Sequence, residues 1–406
     1  MKHLFGNRVI RLLLGNDLLD NIAIWIRNIA VLFLVMDKTG DDPVAVSLIT
    51  VAEYAPIFLF SMIGGTLADR WEPRRTMMAG GLLSAASVAA IALAVRYGAW
   101  ETVFLATAVS AIVSQFSQPS SFVIIKRHLK EEQIAAATGL GQSMAAIFLI
   151  AGPVIGTAVY ARLGIEASLL LVAALFLAST LLVFWLPRVP RETDAERSGG
   201  LWSDMREGVR FVLRDARLKT LLLLFALLGI GTGLIQPLDI FIVTDRLALD
   251  KEQVQWFYLV SGVGLLGGGV LAAVTAGKTR PNGHWLVAGG LGFLAVSIVV
   301  EAWSVWVPVT LVSRFLVGIA MAFMQTALSA MMIRMIDEAY VGRINGTLAP
   351  IMTGTLLAGS ALAGPLLKAT SLLAVFALAA GIVAVAAFCA LRLKDRPSAV
   401  EAADRA

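Results

Sequence analysis

Three carboxylates sit where a carboxylate is costly. Asp20, Glu53 and Asp239 each fall inside an apolar stretch long enough to cross a bilayer. In hydrocarbon such a group is tolerated only when it faces a partner or a water-filled cavity. A carboxylate held there can take up and release a proton as its surroundings change. The chemistry open to these positions is therefore proton transfer. Asp20 ranks first, because Asn16, Asp20 and Arg27 stand at i, i+4 and i+11 and share one helix face; a gating or structural role at the inner helix end is the alternative. Asn21, Arg27, Gln115, Gln118, Gln236, Arg314 and Gln325 are the other polar residues expected along an internal path. Arg27 and Glu53 lie equally deep, counted from the outer helix ends at Met36 and Val44, which suggests a buried ion pair.

The elements that carry these residues follow from composition. Of the 406 residues, 58% are hydrophobic and 15% charged, and the mean hydropathy is +0.81, a surplus of apolar surface that must face lipid. A bilayer core takes roughly 20 apolar residues per helix. Stretches of that length are expected at 12–36, 44–68, 76–95, 102–125, 135–161, 167–187, 219–243, 252–276, 284–303, 307–331, 343–367 and 370–391. With both termini in the cytoplasm, the inner segments hold 25 of the 33 basic residues, the positive-inside pattern of a multi-pass protein of the cell membrane. The net charge of +5 then calls for anionic membrane lipid as a partner and no nucleic acid. The single cysteine, Cys389, allows no internal disulfide.

Charge clusters divide the chain. An N-terminal six-helix bundle (1–187) is followed by a cytoplasmic linker (188–218), a second six-helix bundle (219–392) and a cytoplasmic tail (393–406). Trp202, Met205, Val209 and Val212 recur at helical spacing among charges, so the linker is expected to hold an amphipathic helix on the inner membrane surface. The bundles echo each other: Gly64-Gly65-Thr66-Leu67-Ala68 returns as Gly268-Gly269-Val270-Leu271-Ala272, and Leu149-Ile150-Ala151-Gly152-Pro153 as Leu356-Leu357-Ala358-Gly359-Ser360, at offsets near half the chain. Two matches at nearly one offset point to a duplicated unit, the architecture that lets two bundles rock about a shared site.

Gly64-Gly65-Thr66-Leu67-Ala68-Asp69-Arg70 with Arg74-Arg75 resembles the cytoplasmic helix 2–3 signature of the major facilitator superfamily, with Glu72 where the family has Gly and Pro73 where its basic run begins. By that resemblance Gly65, Asp69, Arg70, Arg74 and Arg75 form a cytoplasmic gate, in which glycine permits close helix approach and Asp69 latches onto arginine. Gly152, Pro153 and Gly156 are similar to the helix 5 motif of the superfamily's antiporters, with Thr157 in place of its last glycine. Gly342-Arg343 and Asn345-Gly346-Thr347 extend the likeness to helix 11. It is strongest for the twelve-helix drug:proton antiporter branch that includes macrolide efflux pumps.

The resemblance implies an all-α integral membrane protein of two pseudo-symmetric six-helix bundles, monomeric, exporting a hydrophobic or amphiphilic small molecule against proton entry. A siderophore or lysophospholipid transporter of the same fold, or a nontransporting membrane sensor, is the alternative. No nucleotide-binding loop, metal-ligand cluster or nucleophile–base pair stands in the sequence, and His3, His128 and His284 all fall near the cytoplasmic side, so neither an enzyme nor a cofactor is expected.

Overall fold

In the computed structural model, residues 6–68, 71–187, 216–275, 283–335 and 341–393 are described. They are almost wholly helical, because a backbone in lipid must satisfy its hydrogen bonds within its own segment. The helices are α1 Arg8–Thr39, α2 Pro43–Ala68, α3 Pro73–Arg96 and α4 Val103–His128. Glu131–Phe184 then runs on as two helices, α5 (131–163) and α6 (165–184), which meet at Gly164 in a left-handed conformation (φ 69°). The second half supplies α7 Ala216–Ile235, α8 Val254–Thr275, α9 Gly283–Trp303, α10 Val307–Met335, α11 Val341–Ala369 and α12 Leu372–Ala390.

Among the described residues, eleven segments are long and apolar enough to cross a membrane, and one of them, Ala136–Phe184, has 49 residues. At about 1.5 Å per residue it is more than twice as long as the roughly 30 Å hydrocarbon core. It holds two crossings that reverse at Gly164, which gives twelve membrane helices. The expected loop between helices 5 and 6 is reduced to that one glycine, whose missing Cβ lets the chain take the positive φ.

Residues 1–198 and 249–259 cluster as one unit and 199–248 with 260–406 as the other. In the first unit α1 packs on the α5–α6 hairpin, α2 on α4, and α3 on both α4 and the hairpin. Segment 249–259 joins this unit where Lys251 pairs with Asp37 and lies 5.3 Å from the Phe33 ring. In the second unit α7 packs on α11 and α12, and α9 on α10 and α12. Gly264 and Gly268 bring α8 against Phe315 and Ile319 of α10. The helix pairs of the two halves thus correspond, as the internal sequence echo predicts.

The core of the first unit is built from small and branched side chains such as Ala23, Ile26, Val88 and Val172, which let α1, α3 and α6 approach closely. Other large apolar residues point outward: Leu59, Leu105, Leu181 and Phe388 are each more than 60% exposed, as suits a lipid-facing surface.

Candidate functional site

Asp20 is half-buried on α1. The Asn16 side-chain amide, one turn earlier, donates to its Oδ2 at 3.1 Å and also to the Ser179 hydroxyl of α6. Ser179 bonds Asp20 as well, so the carboxylate is held across the α1–α6 contact by two neutral groups. Asn21 turns back along its own helix, donating to the Asp17 carbonyl at 2.8 Å.

Arg27 is only 2% exposed. Its Nε and Nη2 donate to Asn28 Oδ1 at 3.2 and 2.8 Å, while Nη1 is buried with no hydrogen-bond partner. The charges of Arg27 and Glu53 feel each other, but no direct ion-pair contact joins them among the described residues. The expected pair is therefore corrected. Equal depth places two residues at one level of the membrane and leaves their rotation about the helix axes open, and Arg27 turns to its own neighbour.

The helix 5 motif is a packing seam. A Cβ on Gly152 would lie only 2.3 Å from Cγ of the Trp25 indole, and one on Gly156 would lie 2.7 Å from Ile29 Cγ1 and 2.8 Å from the Trp25 carbonyl oxygen. These glycines seat α5 directly on α1, in the stretch of α1 that also carries Asp20 and Arg27. The corresponding glycine of the second half, Gly359, closes α11 onto α7, where a Cβ would lie 2.5 Å from the Ile230 carbonyl oxygen.

In the second unit Asp239 and Arg314 are brought together with a residue outside the set expected along an internal path, Glu301. Arg314 donates to both Asp239 oxygens, Nη1 to Oδ2 at 3.2 Å and Nη2 to Oδ1. Arg314 Nε lies 2.8 Å from Glu301 Oε2, and the Ser313 hydroxyl is 3.3 Å from Glu301 Oε1. Asp239 and Glu301 are each 6% exposed. The backbone at Asp239 is irregular: α7 passes into a 3-10 turn at Gln236–Leu238, one α turn at Asp239–Phe241 and a π turn at Ile242–Arg246. Pro237, which has no N–H to donate, explains the first break, and π turns recur at functional positions. Glu301 stands two residues before the end of α9, within reach of the long Arg314 side chain.

Of the helix 2–3 signature, Gly65 lies within α2, and Asp69 and Arg70 fall outside the described residues. Arg74 lies 5.1 Å from the Phe184 ring, and Arg75 Nε pairs with Glu72 Oε2 at 2.5 Å. The glutamate that replaces the expected glycine thus holds an arginine of the same signature. Gln115 donates to Ser114 at 3.1 Å, and Gln118, Gln236 and Gln325 are exposed. The proposed linker helix also lies outside the described residues.

Twelve helices in two halves of corresponding pairing, with charged side chains buried in both, are the frame of a solute carrier. The family model of the Major Facilitator Superfamily matches residues 18–300. The chain belongs to the major facilitator superfamily. Among its relatives in the superfamily are YkuC, an uncharacterized MFS-type transporter of Bacillus subtilis (strain 168), 24% identical over 86% of this chain and 83% of that one, and the multidrug efflux pump Tap of Mycolicibacterium fortuitum, 27% identical over 85% of each. The crystal structure of a mutant of the nucleoside transporter NupG superposes with a TM-score of 0.74 at 13% identity, over 94% of this chain and 99% of that one. That likeness is one of fold. This major facilitator protein is a multi-pass membrane transporter of small molecules.

Proposed function

We propose that the chain is a secondary active exporter that moves hydrophobic or amphiphilic compounds out of the cell by alternating access, driven by protons entering in exchange. The observation that carries this reading is the presence of carboxylates within the membrane-spanning segments of both units, Asp20 half-buried in one and Asp239 with Glu301 buried in the other. Groups this costly in hydrocarbon are kept where a charge or proton moves, and the sequence has no nucleotide-binding loop to supply energy otherwise. Export is supported by the similarity to Tap and by the antiporter-like glycines that seat α5 on α1. The positive-inside distribution supports cytoplasmic termini in the cell membrane.

The test is flux in proteoliposomes of the purified protein, with ethidium as an amphiphilic probe and an imposed pH gradient. Ethidium should move opposite to the proton flow and stop when an ionophore collapses the gradient. Flux indifferent to gradient and ionophore alike rules the proposal out.

A further inference from the structure

Arg314 faces two carboxylates with one positive charge. Asp239 holds it by two hydrogen bonds to the terminal nitrogens. Glu301 has the Nε contact at 2.8 Å and the Ser313 hydroxyl at 3.3 Å. The neighbouring elements bring no further cation to Glu301 among the described contacts: α12 has no charged residue, and on the π turn after Asp239 the Asp245 side chain is exposed, while Arg246 donates through Nη2 to the Trp303 carbonyl at 2.7 Å. A buried group of two carboxylates and one guanidinium carries an excess negative charge, which is expensive away from water. A proton on one carboxylate removes it, as when two acids share one site.

The geometry decides which carboxylate. A proton on Asp239 would break the bidentate pair, the stronger of the two attachments. A proton on Glu301 leaves that pair whole. Ser313 can serve either form of Glu301, because a hydroxyl donates to a carboxylate and accepts from a carboxylic acid. We infer that Glu301 is the residue on which the second unit takes up and releases a proton, with Arg314 alternating between a state shared by both carboxylates and a closed pair with Asp239. Uptake forms one O–H bond on Glu301 with a proton drawn from water and replaces the ion-pair contact to Nε; release reverses both. Deprotonated, the network ties α9 and α10 to the Asp239 joint after α7. Protonated, it ties only α10 to that joint, and the irregular backbone on either side of Asp239 gives the joint room to respond.

This inference rests on the proton-coupled reading, and infrared difference spectra of the full-length protein in lipid vesicles, acidic minus alkaline, separate the two. The wild type should show a protonated-carboxyl C=O band growing on acidification, and Glu301→Gln should lose the Glu301 share of it while any share from Asp20 stays. A Glu301→Gln spectrum with the band intact, or a wild type without one, overturns the assignment. If Glu301→Gln does not fold, Glu301→Asp keeps a carboxyl with a shorter arm and must shift the band in frequency; an unmoved band again overturns it. Gradient-driven ethidium flux is measured on the same wild-type vesicles. A titrating Glu301 band with flux that ignores the gradient supports the proton site and overturns the coupling. Gradient-driven flux with the band intact in Glu301→Gln overturns the proton site and leaves the coupling standing.

Discussion

Gly152 of α5 lies against the indole of Trp25 on α1 so closely that a Cβ at position 152 would stand 2.3 Å from the ring's Cγ, far inside van der Waals contact. Gly152→Ala should therefore destabilise the protein by about 1–3 kcal/mol, the usual cost of overpacking. Because the obstacle is a side chain, Trp25→Leu in the same molecule should recover most of the loss. At Gly359 the obstacle is the Ile230 carbonyl and the Gly233 backbone, so no side-chain substitution should rescue Gly359→Ala. Thermal unfolding of the purified variants checks both. Rescue of Gly359→Ala by a side-chain change, or none of Gly152→Ala by Trp25→Leu, would contradict the seam.

Asp20 is bound by Asn16 and Ser179, neutral partners that an amide can also satisfy. Asp20→Asn is expected to fold at near wild-type yield and to lose gradient-driven ethidium flux, since it keeps the hydrogen-bonding shape and gives up the titratable oxygen. Asp20→Ala should cost about 1–3 kcal/mol more, because buried polar partners are left without it. Wild-type flux by Asp20→Asn would remove Asp20 from coupling and leave it a structural group.

Arg27 leans on Asn28 and not on Glu53. Asn28→Ala should cost about 1.5–3 kcal/mol, the worth of hydrogen bonds to a charged group. A double-mutant cycle of Arg27→Gln with Glu53→Gln should give a coupling energy below about 1 kcal/mol, and the cycle with Asn28→Ala a larger one. The reverse order would show that Glu53 carries the arginine.

The twelve crossings, the repeat and the face shared by Asn16 and Asp20 were legible in the sequence, because hydropathy and the 3.6-residue period act along one helix. What crosses between helices was less so. Arg27 and Glu53 were matched in depth, yet azimuth decided against their contact. Glu301 sits near a helix end, where a charge ordinarily meets water, and nothing along its own helix marks it as the buried partner of Arg314. The glycines of α5 were recognisable as a motif, while Trp25, the residue that requires Gly152, gave no sign of its role.

The three-way sharing around Arg314 yields an ordered prediction. Arg314→Gln strands two buried carboxylates, whereas Asp239→Asn leaves Arg314 with Glu301 as a partner. Removing one member of a buried pair typically costs about 3–5 kcal/mol; Arg314→Gln should reach that range and Asp239→Asn should fall below it. The double variant Arg314→Gln with Asp239→Asn should be more stable than the sum of the singles, since only Glu301 is then left bearing a charge. Acidification supplies the sign. The stranded carboxylates of Arg314→Gln can be neutralised by protons, so its deficit relative to wild type should shrink as pH falls. That of Asp239→Asn, which keeps a paired guanidinium, should shrink less. Thermal unfolding of the four proteins across a pH series checks the order and the slopes together. Equal costs for the two single variants, or a deficit for Arg314→Gln that grows on acidification, would mean that Arg314 does not serve both carboxylates.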